Sequence, residues 1–323
     1  MHRISLGNTE FEGRNNAYLL LGEDSTAIVD TGVATPTTRE QLEDGLAEHG
    51  VTFSDIDAVV LTHWHADHVG LASEIQDAGG ATVYIHEADA PIVRQDPAAL
   101  EELRDIQERR FDEWDMPEDK RAELLNRLDM GFAIAGDPVE VDTVTEGDRL
   151  EVGGRQLEVV HAPGHTSGLS LFAFDGEAGR EAFVGDAVLP VYTPNVGGAD
   201  LRVEQPLATY LETLHRLESA DYDRFWPGHR DVIDEPTERV RTIIDHHRDR
   251  TERVIEVLAE HGPANAWTVS DHLFGELNGI HILHGPGESF AHIDHLITHG
   301  IVESTPEGFR LVEDADARIA DLV

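Results

Sequence analysis

Apolar positions along this chain change rhythm several times. Up to residue 86 they come in short β-rich runs broken by glycine and aspartate. "NAYLLLG" (16–22) and "STAIVDTG" (25–32), separated by "EDS", predict a hairpin. "TPTTREQLEDGLAEHG" (35–50) offers a capping threonine, helical spacing at Leu42 and Leu46 and a glycine stop. "DIDAVVLTH" (55–63) reads as a buried strand, "HVGLASEIQDAG" as the helix after it and "ATVYIHE" as the next strand. Strand, loop, helix, strand is an α/β order, and ligand sites in such sheets form at the carboxyl ends of strands. From 88 to about 135 the pattern turns helical and highly charged, which predicts a helical insertion. The plain reading is a solvated helical pair; Phe111, Trp114 and Met116 give it apolar surface enough to cap a site instead. Strand-like runs return over 139–189, then a loop "PVYTPNVGGADLR", a helix "PLATYLETLHRLE" and a short strand "RFWPGH". The two β-rich stretches, 1–86 and 139–189, predict two facing sheets with helices outside.

Near Asp231 the character changes again. "EPTERVRTIIDHHRDRTERVIEVLAEHG" predicts one long helix or a helix pair, followed by "TVSDHLFG", "GESFAHIDHLITHG" and a two-strand pattern with "TPEG" at its turn. Helix, helix, helix, hairpin is the order of a winged-helix module. The expected division is 1–235 and 236–323, with a boundary at about Pro236.

Composition narrows the class. The chain has 323 residues with 40% hydrophobic, enough for a core, yet 64 acidic against 24 basic residues, a net of −40. Lys120 is the single lysine. Dispersed acidity with arginine in place of lysine predicts adaptation to a salt-saturated cytoplasm, where screening relieves self-repulsion. Net charge then says little about partners. Cysteine is absent, which excludes disulfides, thiol nucleophiles and thiolate metal sites. No apolar run approaches the roughly 20 residues needed to span a bilayer, and the amino terminus lacks a signal pattern. The expectation is a cytoplasmic protein with no membrane contact.

Against that background "LTHWHADHVG" (61–70) stands out. His63, His65, Asp67 and His68 put four ligand-type side chains in six positions directly after an apolar run. Further candidates lie in glycine-rich turns where strands end: His165 in "APGHTSG", Asp186 in "VGDAV" and His229 in "WPGHRD". Histidine and carboxylate without thiolate suit zinc or a similar borderline ion. No G-x-S-x-G elbow occurs, so a serine triad is not supported. His161, His86, His246 and His247 read as structural, and the C-terminal set His281, His284, His292, His295 and His299 shows no ligand spacing.

Taken in order, "NNAYLL", "VDTG", "THWHADHVG", "APGHTSG", "GDAV" and "PGH" resemble the metallo-β-lactamase-fold superfamily, in wording closest to its glyoxalase II-like hydrolases, over about residues 2–232. The resemblance implies an α/β fold, an αββα sandwich. It implies that His63, His65 and His165 hold one metal, that Asp67, His68 and His229 hold a second, and that Asp186 bridges them. Asp30 of "VDTG" would orient a ligand histidine. The cofactors expected are two divalent ions, zinc first, with iron or manganese as alternatives. Two ions about 3.5–4 Å apart would generate a shared hydroxide as nucleophile, with Asp67 orienting it as the catalytic carboxylate.

The bond cleaved does not follow from the fold. A small thioester or ester, as for a hydroxyacylglutathione hydrolase, is the first expectation. The C-terminal stretch, over about 240–305, resembles lactamase-like proteins that end in a winged helix, some of which cut single-stranded RNA. That makes an endoribonuclease the alternative. Residues 263–323 carry 2 basic and 10 acidic residues, and the presumed recognition helix has neither lysine nor arginine, so nucleic acid is not the favoured partner. A packing, lid or homodimerisation role comes first for that module. A non-catalytic sensor is disfavoured by the full ligand set. Tyr192, Asn195 and Arg202, in the loop after Asp186, are candidate substrate contacts.

Overall fold

Alternate residues of Asn15–Leu21 enter two different apolar clusters, Ala17 and Leu19 one, Tyr18 and Leu20 the other. A strand covered on both faces is the centre of a layered fold. The computed structural model describes residues 1–7 and 13–315, with 129–133 described by their backbone alone. The first sheet orders its strands β1 (His2–Leu6), β2 (Asn15–Leu21), β3 (Thr26–Val29), β4 (Ala58–Val60), β5 (Thr82–His86) and β6 (Val141–Val144). Its first three strands are antiparallel, and β3 to β6 run parallel. The second sheet comprises β7 (Arg149–Val152), β8 (Arg155–His161), β9 (Ser170–Asp175), β10 (Arg180–Gly185) and β11 (Arg224–Pro227). Its first four strands alternate in direction, and β11 lies parallel to β10.

Tyr18, Leu20, Val29 and Val60 meet Leu157, Val159, Phe172 and Phe183 between the sheets. Outside the first sheet lie α1 (Pro36–Ala47), capped by the Thr35 side chain, then a short turn α2 (Ala66–Val69) and α3 (Ala72–Gly79). The layered reading of the sequence matches this architecture. One detail differs: "VEVDTV" closes the first sheet rather than opening the second. Parallel pairing of β6 with β5 needs a long crossover, and the inserted helices supply it.

That insertion forms α4 (Ala90–Val93), α5 (Pro97–Glu113) and α6 (Glu118–Ala133). It is not a solvated pair. Phe111, Trp114, Met116 and Leu124 are buried in one cluster with Val254, Leu258, Val269, Ile282 and Ile293 from the C-terminal helices. Outside the second sheet, α7 (Pro206–Glu218) and the first half of α8 (Pro236–His261) cover the apolar face through Tyr210, Leu214, Val240 and Ile243. The order then runs α9 (Ala266–Phe274), α10 (His281–Thr298), β12 (Val302–Thr305) and β13 (Gly308–Leu311), the last two an antiparallel hairpin. The long stretch after Asp231 is one helix, not two. The helix expected from 287 begins at His281 and carries Pro286 inside it, because burial of Ile282 and Leu283 holds the extra turn in place. Residues 316–323 of the expected C-terminal domain lie outside the described residues. No helix of the described residues is long and apolar enough to cross a membrane.

A buried histidine pair joins α8 to α10. The Thr251 hydroxyl donates to the His247 carbonyl at 2.8 Å, so it accepts from His292 Nδ1, also at 2.8 Å. His247 Nε2 has no hydrogen-bond partner. Burial, reinforced by His246 and Arg250, pushes the His247 imidazole down to about 3. The folded state therefore holds this ring neutral, while the unfolded chain binds a proton near pH 6.5. Unfolded protein binds more protons between those values, so stability is full above pH 6.5 and falls as pH drops toward 3. His247→Gln should remove about 1.4 kcal/mol per pH unit of that acid slope below pH 6. Denaturant midpoints of both proteins from pH 7 to 4 measure it, and parallel slopes would contradict it.

Candidate metal centre

The motif after β4 works because the chain changes conformation within it. Leu61 N still donates to the Tyr84 carbonyl of β5, the chain bends over 62–64, and His65 then stands at the amino end of α2, its carbonyl accepting from His68 N and Val69 N. His63 and His65 thus project from a loop, while Asp67 and His68 sit in the first turn of a helix. His165 lies beyond β8, Asp186 directly follows β10 and His229 follows β11. The three strands β8, β10 and β11 run in one direction, so their carboxyl ends deliver these residues to the same place.

All seven side chains converge. Three sets have ligand atoms within 4.8 Å of one another: His63, His65 and His165; His63, His68 and Asp186; Asp67, His68 and His229. Asp186 reaches across, with Oδ2 3.8 Å from His165 Nε2 and 3.4 Å from His229 Nε2, and Oδ1 3.5 Å from His68 Nε2. Asp67 Oδ2 is 3.3 Å from His229 Nε2. Close packing permits this only because residue 228 is glycine: a Cβ there would stand 2.6 Å from Asp186 Oδ1 and 2.6 Å from His68 Cε1.

Hydrogen bonds around the cluster fix which outward nitrogen carries a proton in four of its five rings. His65 Nε2 faces the Ala199 carbonyl at 3.0 Å, and His165 Nδ1 faces the Asn195 carbonyl at 2.9 Å. Carbonyl oxygens only accept, so those nitrogens are protonated. Asp30 accepts from Thr62 N and from the Thr62 hydroxyl, which leaves the hydroxyl oxygen to accept from His63 Nδ1 at 3.1 Å. Asp30 Oδ2 also accepts from His68 Nδ1 at 2.8 Å. The inward nitrogens of His63, His65 and His165 are therefore lone pairs. At His68 burial is outweighed by the carboxylates of Asp186, Asp67 and Asp30, which raise the ring well above the ordinary histidine range, so its inward nitrogen attracts a proton that a cation would replace. Those of His63 and His65 stand 3.0 Å apart, and those of His65 and His165 3.1 Å. Neutral rings cannot satisfy such contacts; a shared cation does.

Electrostatics agree. Burial and the neighbouring imidazoles hold His63 well below the ordinary histidine range, and burial with His165 pushes His65 down to about 4. At the other end burial is outweighed by the carboxylates of Asp186 and Asp67, which raise His229 to about 10. One end rejects protons while offering lone pairs, and the other attracts positive charge. His68 Nε2, Asp186 Oδ1 and His229 Nε2 are buried without a hydrogen-bond partner. The donor set and these orphaned atoms fit divalent metal ions.

Asp30 is held at φ 57, a left-handed conformation that a non-glycine residue adopts at a cost. The sequence pointed to Asp30; it did not show Thr62 as the relay to His63. It also gave no role to Asn15, whose side chain donates to Asp67 Oδ2 at 3.2 Å and to the Asp67 carbonyl at 2.9 Å.

A cavity of about 940 Å³ stands over the cluster. Tyr192 and Asn195, two of the candidate substrate contacts, line it. Asn195 also braces the site: its carbonyl holds His165, and its side chain donates to the His284 carbonyl of α10 at 3.2 Å. Arg202 is placed differently from its expected role. Its guanidinium is bound by Asp89, Asp200 and the Ala88 carbonyl and lies over Trp64, and it does not line the cavity. It is a strut beneath the motif. Conversely, His281 and His284, set aside in the sequence for lack of spacing, reach the cavity wall. Their signal is tertiary, because nothing local links α10 to residue 65.

Comparison with known proteins places these features. The sequence model of the family described as the metallo-beta-lactamase superfamily matches residues 11–229. A protein of Bacillus subtilis described as a probable metallo-hydrolase is 29% identical over 298 residues, 90% of each chain. The crystal structure of a metallo-beta-lactamase family protein from Thermus thermophilus aligns with a TM-score of 0.82 at 29% identity, over 96% of this chain and 98% of that one. A further solved structure, 27% identical with a TM-score of 0.51 over 74% of this chain and 96% of its own, is in a di-iron-bound form.

Replacing Asp30 tests the proton assignment. Asp30→Asn would present an amide N–H to His68 Nδ1 and turn that ring's proton inward. Affinity for zinc, read by competition with a chromophoric chelator, should fall about 10–100-fold. Unchanged affinity in a folded variant would refute the arrangement.

Proposed function

This chain belongs to the metallo-beta-lactamase superfamily, and on that premise we propose that it is a binuclear metal-dependent hydrolase of small thioester or ester substrates. The observation that carries the reading is the inward lone-pair cage at the floor of the cavity. His63, His65 and His165 would hold one ion, Asp67, His68 and His229 the other, with Asp186 between them. Zinc is the first choice and iron the second, in keeping with the di-iron form of one solved relative. Bound divalent ions supply a water acidified toward neutrality and a Lewis acid for the carbonyl. Asp67, steadied by Asn15, is placed to hold and orient the attacking water's proton. Asn195 and Ala199 keep the ligand rings turned, and the walls of the cavity exclude bulk water.

The C-terminal helices beyond the first half of α8 read as a winged-helix-like lid; the expected boundary at about Pro236 is moved inside α8, because Val240 and Ile243 pack with the second sheet. Leu283 and His284 of α10 turn toward the cavity, which favours a lid over a nucleic-acid platform, and α10 carries no lysine or arginine. The acidic composition supports a halophilic cytoplasmic setting, so activity belongs in molar KCl.

The deciding assay offers an S-acyl thioester and a single-stranded RNA side by side to the purified protein. Thioester turnover is expected. It should fall more than about 10³-fold on chelation, return on adding zinc or iron, and be lost in the His63→Ala, His65→Ala double variant. Metal-dependent RNA cleavage without thioester turnover would overturn the reading.

A further inference from the structure

The cavity is chemically divided. Its floor is the histidine and aspartate cluster, whereas its sides include Val93, Leu103, Leu128, Ile134, Ile280 and Leu283. These come from α4, α5, α6 and the segment after it, and from α10 and the residue before it, so the chamber exists only where the insertion meets the C-terminal helices. Leu283 belongs to the core shared by the insertion and the C-terminal helices, and Leu103 is likewise buried, at 6% and 3% exposure, so this part of the wall is packed before any ligand arrives. Among the cationic side chains of the lining, Arg230 lies over the half-exposed Tyr192 ring at 4.5 Å, toward solvent, and Arg127 lies beside Gly279.

We propose that this chamber is an acyl pocket for a long, uncharged, apolar chain, with the scissile carbonyl over the metal cluster and the leaving group toward Tyr192 and Arg230. The inference rests on the hydrolase reading above and narrows it. In the reaction, water adds to the acyl carbon and the C–S or C–O bond breaks. The leaving group departs as a thiol or alcohol carrying one proton, and a fatty carboxylate with its released proton remains. A volume of about 940 Å³ lies near the upper end of ordinary ligand pockets and far exceeds an acetyl group. Apolar walls gain from each methylene they cover, and they penalise a charged acyl group wherever it lies against them rather than against the few polar lining residues such as Arg127 and Gln107.

Product binding tests the pocket without relying on turnover. Acetate, hexanoate and decanoate are titrated calorimetrically into zinc-loaded protein in molar KCl, and the same series is run on Leu128→Arg and Ile280→Arg. Affinity should rise with length by up to about fourfold per methylene, and each arginine variant should flatten the rise. Thermal unfolding and zinc content identify a variant that fails to fold, and the other variant then decides. No length dependence in the native protein, or an undiminished rise in folded variants, would overturn the proposal. So would thioester kcat/KM that does not increase from acetyl to decanoyl. A clear length dependence with no ester or thioester turnover would instead keep the pocket and remove the hydrolase reading.

Discussion

Three imidazole rings turned lone pair inward, those of His63 and His165 each within hydrogen-bond distance of His65, are an arrangement that protein groups alone do not stabilise. Everything nearby serves to impose it. Asp30 fixes His68 directly and His63 through the Thr62 hydroxyl, and it does so from a left-handed backbone conformation. Two carbonyls of the loop after β10 fix His65 and His165. Such a cage persists because the surrounding strands and helices over-determine each ring, and a bound cation then recovers the energy of the strained contacts.

The same loop couples the cage to the far end of the chain. Asn195 touches His165 with its carbonyl and α10 with its side chain, so the metal cluster and the chamber above it share a brace. Gly198 lies against His284 closely enough that a Cβ would stand 2.7 Å from the His284 Cα. The C-terminal helices are thus a structural part of the cavity wall. Their core is completed by Phe111 and Trp114 from an insertion more than a hundred residues away in sequence. Cavity wall and floor are positioned by one continuous packing arrangement.

What the sequence disclosed divides along the same line. His63, His65, Asp67 and His68 were legible because a strand end and a helix start compress four ligands into six residues. His165, Asp186 and His229 were legible because turns with glycine follow strand patterns. The layered fold was legible from alternation such as that of Tyr18 and Leu20 against Ala17 and Leu19. Features decided by tertiary contact were not. Nothing local tells that β6 pairs with β5, that His284 stands near His65, or that Arg202 is consumed by Asp89 and Asp200. An arginine in a glycine-rich loop looks the same in sequence whether it faces substrate or a buried carboxylate pair.

Charge and chemistry are linked by salt. The net of −40 resides largely on the surface, whereas the carboxylates of the cluster and its support, Asp30, Asp67, Asp186, Asp89 and Asp200, are buried with named partners. At low ionic strength that surface would draw cations toward the cage and repel anionic substrates from its mouth. In molar salt the screening length shrinks to about 3 Å and steering in either direction vanishes. Recognition by burial of an uncharged chain keeps its strength under those conditions, whereas recognition of a polyanion through surface arginines does not. In the salt-rich setting proposed above, with long-range electrostatics screened, an acidic exterior and an apolar chamber are compatible, and contacts inside the cavity would be what remains to select a substrate.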